Sequence, residues 1–268
     1  MARAYGQFRV LAERTAAGLP PEALNNQLAI ARLEYVLRHE VGLLEAVSAR
    51  VTARAPLTSP PAVVLLPGRL HTYGGYAHFR ALLARDPAAS VVLDNPDDVA
   101  TLLGFLREHS SQQLRILLDR DPAASVAIEN PSGVANLLDP LRMPGPVSQV
   151  STLPERDPAA QVGLNDPAGI ARLIDSLRSA RLPLAREQAA ALARRAVDVP
   201  IADASAMTRL LRSLREAEAH DSCTSLAARL PAAGRFTLFA DVDGHRERFR
   251  FGREPDGAPA SEWAWGDM

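Results

Sequence analysis

One stretch of this chain occurs three times, and that recurrence constrains the fold more than any other feature. Arg85-Asp-Pro-Ala-Ala-Ser-Val-Val-Leu-Asp-Asn-Pro-Asp-Asp-Val-Ala-Thr-Leu-Leu returns in diverged form from Arg120 and again from Arg156, with Pro96, Pro131 and Pro167 spaced by 35 and 36 residues. Weaker copies lie upstream from Ala55 and downstream from Val199. Five registers align. A period of this length marks a supersecondary unit whose apolar face is covered only by its neighbours.

The apolar columns specify the element. Leu57, Leu93, Ile128, Leu164 and Ile201 form one column, and Val63, Val99, Val134, Ile170 and Met207 the next. Leu66, Leu102, Leu137, Leu173 and Leu210 follow, then Leu70, Leu106, Leu141, Leu177 and Leu214. Within one copy Val99, Leu102, Leu103 and Leu106 fall at i, i+3, i+4 and i+7, one face of a helix rather than a strand's alternation. Asp94 or Asn95 can cap that helix, Pro96 suits its first position, and Asp97 and Asp98 favour its positive end. Asp203 can cap the downstream copy. A shorter second helix is expected over residues 110–120, 187–197 and 222–230, with apolar pairs such as Leu114 and Leu117.

The expectation is therefore an all-α chain: a right-handed α-α solenoid of about five helical hairpins. Residues 1–55 read as an N-terminal helical hairpin region, 56–234 as the tandem repeats and 235–268 as a C-terminal β-hairpin and tail. The hairpin reading rests on residues 236–251, where Asp243-Gly244 has the residue pair of a two-residue turn. Arg246, Arg248 and Arg250 would then share one face of a strand and Phe249 and Phe251 the other. Such a hairpin serves either as a lid on the last repeat or as a basic face for an acidic partner. Pro140 inside the second copy's long helix, the Pro144-Gly145-Pro146 run and Pro154 predict kinked or shortened helices there, since an interior proline costs about 3 kcal/mol.

Sparse aromatics, at 5%, suit a core of Leu, Val, Ile and Ala. Thirty basic residues, all of them Arg, face 31 acidic ones, for a net charge of −1. With no positive excess, nucleic-acid binding has little electrostatic support. The lone Cys223 rules out an intrachain disulfide. With no signal-peptide core at the start, and no apolar run near the roughly 20 residues a membrane helix needs, a cytoplasmic protein without membrane attachment is expected.

The repeat pattern begun by Asp94-Asn-Pro, the Arg85-Asp-Pro-Ala-Ala linker, and an ending matched by Arg229–Gly234, Arg248–Gly257 and Trp263–Trp265 resemble a group of actinobacterial tandem helical-repeat proteins. The resemblance covers residues 85–268 and implies a helical array used for interaction or sensing. This chain's repeats are fewer and more eroded, and no catalytic residue transfers from the group.

The chain carries few residues in patterns that suggest catalytic or binding chemistry. Asp241-Val-Asp243-Gly244 lacks the acids a calcium loop needs, where Phe239 and Arg250 stand. The six histidines, His39, His71, His78, His109, His220 and His245, show no zinc spacing. His71 and His78, with Tyr73 and Tyr76 between them, read as a loop between units or as a small polar aromatic site. Cys223 shares the column of Val150 and Ala189, so a buried thiol is expected rather than a nucleophile. Asp97 and Asp98 read as helix-start residues rather than an acid–base pair. No phosphate-binding loop or serine-hydrolase elbow occurs. The expected function is a non-enzymatic scaffold for an unknown protein partner, with no cofactor, no metal and no catalytic residue. Asp97, Thr101, Asn136 and Arg172, between the apolar columns, are candidates for its surface together with Arg246, Arg248 and Arg250. Two alternatives stand beside it: a regulator or inhibitor acting through the C-terminal hairpin, and nucleic-acid binding through an Arg-lined groove.

Overall fold

The computed structural model describes residues 57–61, 63–64, 76–143, 147–201, 203–242 and 245–262, together with Ala53. The rest of the expected N-terminal hairpin lies outside these residues. So do Leu66, Leu70, His71, Tyr73, the Asp243-Gly244 turn, both tryptophans and the side chains of Tyr76 and His78. The chain divides into two compact units, residues 1–127 and 128–268. Every named element among the described residues is helical.

The first unit holds α1 (Tyr76–Leu83), α2 (Pro87–Ser90), α3 (Pro96–His109), α4 (Ser111–Asp119) and α5 (Pro122–Ser125). The second holds α6 (Pro131–Arg142), α7 (Val147–Glu155), α8 (Pro158–Gln161), α9 (Pro167–Ser179) and α10 (Pro183–Arg195). A 3-10 turn at Ala196–Asp198 leads to α11 (Ala204–Glu216) and α12 (His220–Arg229), and a second at Pro231–Ala233 to α13 (Phe236–Ala240) and α14 (His245–Arg248).

The long helices begin as the sequence predicts. Asn95, Asn130, Asp166 and Asp203 each accept a hydrogen bond from an N–H of the first turn. Pro96, Pro131 and Pro167 occupy the first helical turn, where a missing donor costs nothing. The apolar columns are buried: Val63, Val99, Val134, Ile170 and Met207 are all 0% exposed. Each side chain so buried contributes about 1.5–3 kcal/mol before entropy is counted. Leu164 and Ile201 are only half-buried, so the first column loosens toward the C-terminus.

The Arg-Asp-Pro-Ala-Ala stretch is itself an element. Asp86, Asp121 and Asp157 sit in the left-handed region, at φ of 50, 47 and 53°. Short polar side chains tolerate that region better than most. Each Asp turns the chain into a four-residue helix opened by proline: α2, α5 and α8. The chain then runs extended for a few residues before the next cap. Val92 N donates to Thr58 O, Ala127 N to Asp94 O and Gly163 N to Glu129 O, each at 2.8 Å. Successive copies are thus tied by one backbone bond at matching positions.

In the second unit the long helices pack in chain order, α6 on α9 and α9 on α11. Of the second helices, α10 packs along α7, α8 and α9, and α12 packs on α11 and on the 3-10 turn after α10. α10 starts at Pro183, four residues before the expected start at Glu187, because its proline takes the first position although Leu182 offers no side-chain cap. Pro140 does not break α6, which runs on to Arg142. So late in the helix, the missing donor removes only a last-turn bond. Pro154 likewise lies next to the last residue of α7.

The C-terminal β-hairpin is corrected. Residues 236–240 and 245–248 form the short helices α13 and α14 instead. Phe236 and Phe239, three apart, pack at 5.7 Å between ring centroids, and Phe239 also meets His245 at 4.3 Å and Phe249 at 4.9 Å. A strand would have put Phe236 and Phe239 on opposite faces, whereas helical spacing gathers them. The one bridge among the described residues, Arg253 to Pro259, closes a tight turn in which Gly257 adopts φ 93°.

Candidate functional site

The surface candidates are best defined in the second unit, where the three long helices lie side by side. Above the buried columns runs a seam of polar contacts. Ser132 Oγ donates to Asp166 Oδ2 at 2.7 Å, and Ser176 Oγ to Asp139 Oδ1 at 3.3 Å. Ser213, fully buried, lies 2.7 Å from Asp175 Oδ1 and 3.0 Å from Ala171 O. The Ser176–Asp139 and Ser213–Asp175 pairs repeat one register step apart. Each joins a serine of one helix to an aspartate of the helix before it, so the seam fixes how the helices slide against each other.

Outside the seam lies a more exposed row. Arg172 donates to Asn136 Oδ1 at 3.2 Å, joining α6 to α9. Arg209 occupies the same register on α11 and is exposed. Sequence reasoning missed Arg209, although its column with Thr101, Asn136 and Arg172 was the available signal. The row is flanked by ion pairs, loose between Arg178 and Glu216 at 3.9 Å and Arg212 and Glu216 at 3.8 Å, and hydrogen-bonded between Arg142 and Asp139 at 3.1 Å. Exposed pairs of this kind contribute little to stability. They present both signs of charge across a helical face.

In the first unit Asp97 and Thr101 belong to the start of α3. The Asp97 N–H donates to Asn95 Oδ1 at 3.0 Å, and Thr101 Oγ1 donates to Asp97 O at 2.9 Å. Burial pushes the Asp98 carboxyl above its ordinary value, and the neighbouring Asp97 charge adds to the effect. The Asp203 carboxyl is held below its ordinary value by the Ser205 hydroxyl first, then by the Ala206 amide. Asp98 lies in the first turn of α3, and Asp203 caps α11.

Arg246, Arg248 and Arg250 do not form the expected common face. Arg246 pairs with the Asp241 carboxylate. Arg248 lies 5.3 Å above the Phe249 ring. Arg250 lies 4.3 Å above Phe251 and 3.6 Å from Glu262. All three remain exposed, each with a local contact, and no strand groups them.

Sequence reading also passed over a recurring clamp. Gln113 on α4 accepts from Ala88 N at 3.1 Å and donates to Asp86 Oδ1 at 2.8 Å. Arg120, seven residues on, donates to Ala88 O at 2.7 Å and Val91 O at 2.8 Å. On α10 the same pair returns: Gln188 accepts from Ala159 N at 3.0 Å, and Arg195 donates to Ala159 O and to Val162 O, the latter at 3.3 Å. A glutamine and an arginine two turns apart thus hold the backbone of the short proline helix that opens their own copy.

Cys223 is buried, as its column predicts. Among the described residues no group of three or more His, Cys, Asp or Glu side chains could hold a metal ion, and no helix is long and apolar enough to cross a membrane. Comparison with protein families, characterised proteins and solved structures found no match. Over its described residues this is an all-helical protein whose best-defined polar surface runs across consecutive long helices.

Proposed function

We propose that the chain is a non-enzymatic, cytoplasmic scaffold, a right-handed helical solenoid that binds a protein partner along the exposed row of its long helices. The observation that carries this reading is the row through Asn136, Arg172 and Arg209. It lies outside a serine–aspartate seam that sets the spacing of α6, α9 and α11. A face of fixed spacing and mixed charge can distinguish partners by charge pattern, and stacked repeats extend it without new chemistry. The resemblance to tandem helical-repeat proteins points the same way. The C-terminal helices serve in this account as a cap: Phe239, Val242 and Phe249 are buried there.

Affinity capture of the tagged full chain from lysate, at low and moderate salt with mass-spectrometric readout, tests the proposal. One protein retained at both salt concentrations and lost on Arg172→Glu is the expected result. Nucleic acid recovered only at low salt, or a partner indifferent to the row, would overturn it.

A further inference from the structure

At the junction between the last two hairpins, several of the ties that hold the earlier copies are weakened together. The proline helix of the earlier copies is replaced by the 3-10 turn Ala196–Asp198. The glutamine of the clamp becomes Ser222, whose hydroxyl is two bonds shorter, while Arg229 is kept and donates to Val197 O. At the position of Val92, Ala127 and Gly163, whose N–H groups tie successive copies, stands Pro200, which has none. α10 packs along α7, α8 and α9, whereas α12 packs chiefly on α11 and the 3-10 turn. By contrast, α11 stays fully attached to α9 through the buried column and Ser213.

We propose that α12, with the short C-terminal helices, opens as a separate unit about the Ala217–Ala219 turn while α6, α9 and α11 remain packed. Glu218 in this turn lies in the left-handed region at φ 57°. Opening uncovers the inner face of α12: Cys223, Leu226, Ala227 and Leu230, each 0% exposed. Arg215 to Asp241 O, at 3.4 Å, is a long exposed bond that gives way with it. The proposal does not depend on what the exposed row binds.

Because Cys223 is the only cysteine, its thiol reports the opening directly. The full chain is labelled with an aromatic disulfide reagent under native conditions across low urea concentrations. It is compared with a Cys223→Ser chain carrying Ala189→Cys, which places a thiol at the same register of the fully clamped α10. The Cys223 thiol is expected to react about tenfold faster or more, with a rate that barely changes with urea, as sub-global opening requires. Arg229→Ala is expected to speed Cys223 labelling by about tenfold more and leave the thiol at position 189 unchanged. Amide exchange by mass spectrometry gives a second readout, with residues 220–229 exchanging before 183–195. Equal labelling rates with the same steep urea dependence, or Arg229→Ala accelerating both thiols alike, would overturn the proposal.

Discussion

Arg120→Ala tests the physics of the clamp. The guanidinium donates to Ala88 O at 2.7 Å and Val91 O at 2.8 Å, and the residues carrying those oxygens are 0% and 1% exposed. A hydrogen bond from a charged donor contributes about 1.5–3 kcal/mol, and a buried carbonyl left without a partner loses that contribution and its water as well. Arg120 is itself only half-buried, which places each bond at the lower end of that range. The expected loss is therefore about 3 kcal/mol, a large share of the 5–15 kcal/mol by which domains are stable. Gln113→Ala, which removes one neutral acceptor from Ala88 N and one bond to Asp86, should cost about 1–2 kcal/mol. Both residues grip Ala88, so the double variant should cost less than the sum of the two. Urea titration by circular dichroism measures the totals, and amide exchange at residues 88–91 locates them. A loss under about 1 kcal/mol for Arg120→Ala, with exchange in the turn unchanged, would refute the reasoning, because it would mean that water replaces the arginine at no cost.

Three further outcomes follow from the geometry. Gly169→Ala should destabilise the second unit by about 1–3 kcal/mol in thermal melts, because its new Cβ would collide with the capping Asp166 carboxylate and with Ser132 Oγ. Glu218→Gly should raise stability by about 0.5–1 kcal/mol in the same assay, since the exposed glutamate occupies φ 57° for which glycine has no steric penalty. The two shifted carboxyls predict opposite pH profiles. Asp98, raised in the fold, contributes most at pH below its unfolded value and loses that contribution as pH rises through its folded one, so Asp98→Asn should be at least as stable as the parent at neutral pH. Asp203, lowered in the fold, stabilises above its unfolded value and loses this as pH falls through its folded one, so Asp203→Ala should weaken α11 more at neutral pH than in acid. Melting temperatures of each variant across acid and neutral pH check both signs.

The apolar half of this fold was legible because burial leaves a period. Val99, Val134, Ile170 and Met207 could be aligned from the chain alone and prove to be core. The caps were legible for a similar reason, since few side chains satisfy an orphan N–H. The clamp was not, although Gln113–Arg120 and Gln188–Arg195 recur at a spacing of seven. Polar side chains that grip a backbone look, in sequence, like those that face water. The Arg-Asp-Pro-Ala-Ala stretch reads as a linker for the same reason, and its left-handed aspartates carry no compositional mark. At the C-terminus, Asp243-Gly244 and the alternation of Phe249 with Phe251 outweighed the spacing of Phe236 and Phe239, and the packing of those two rings decided for helix. The exposed row was half legible. Asn136 and Arg172 come together, Arg209 joins them by register, and Arg246, Arg248 and Arg250 were grouped only by a strand that does not form.

The most direct test of the scaffold account is the dissociation constant of the captured partner for three full-length chains. These are the parent, the Arg172→Glu/Arg209→Glu double variant, and a control with Arg186→Glu on the exposed side of α10. The account predicts that the double variant weakens binding by about tenfold or more, chiefly through charge mismatch at the row, while the control and all three melting temperatures stay close to the parent. Equal affinity for all three chains would contradict it.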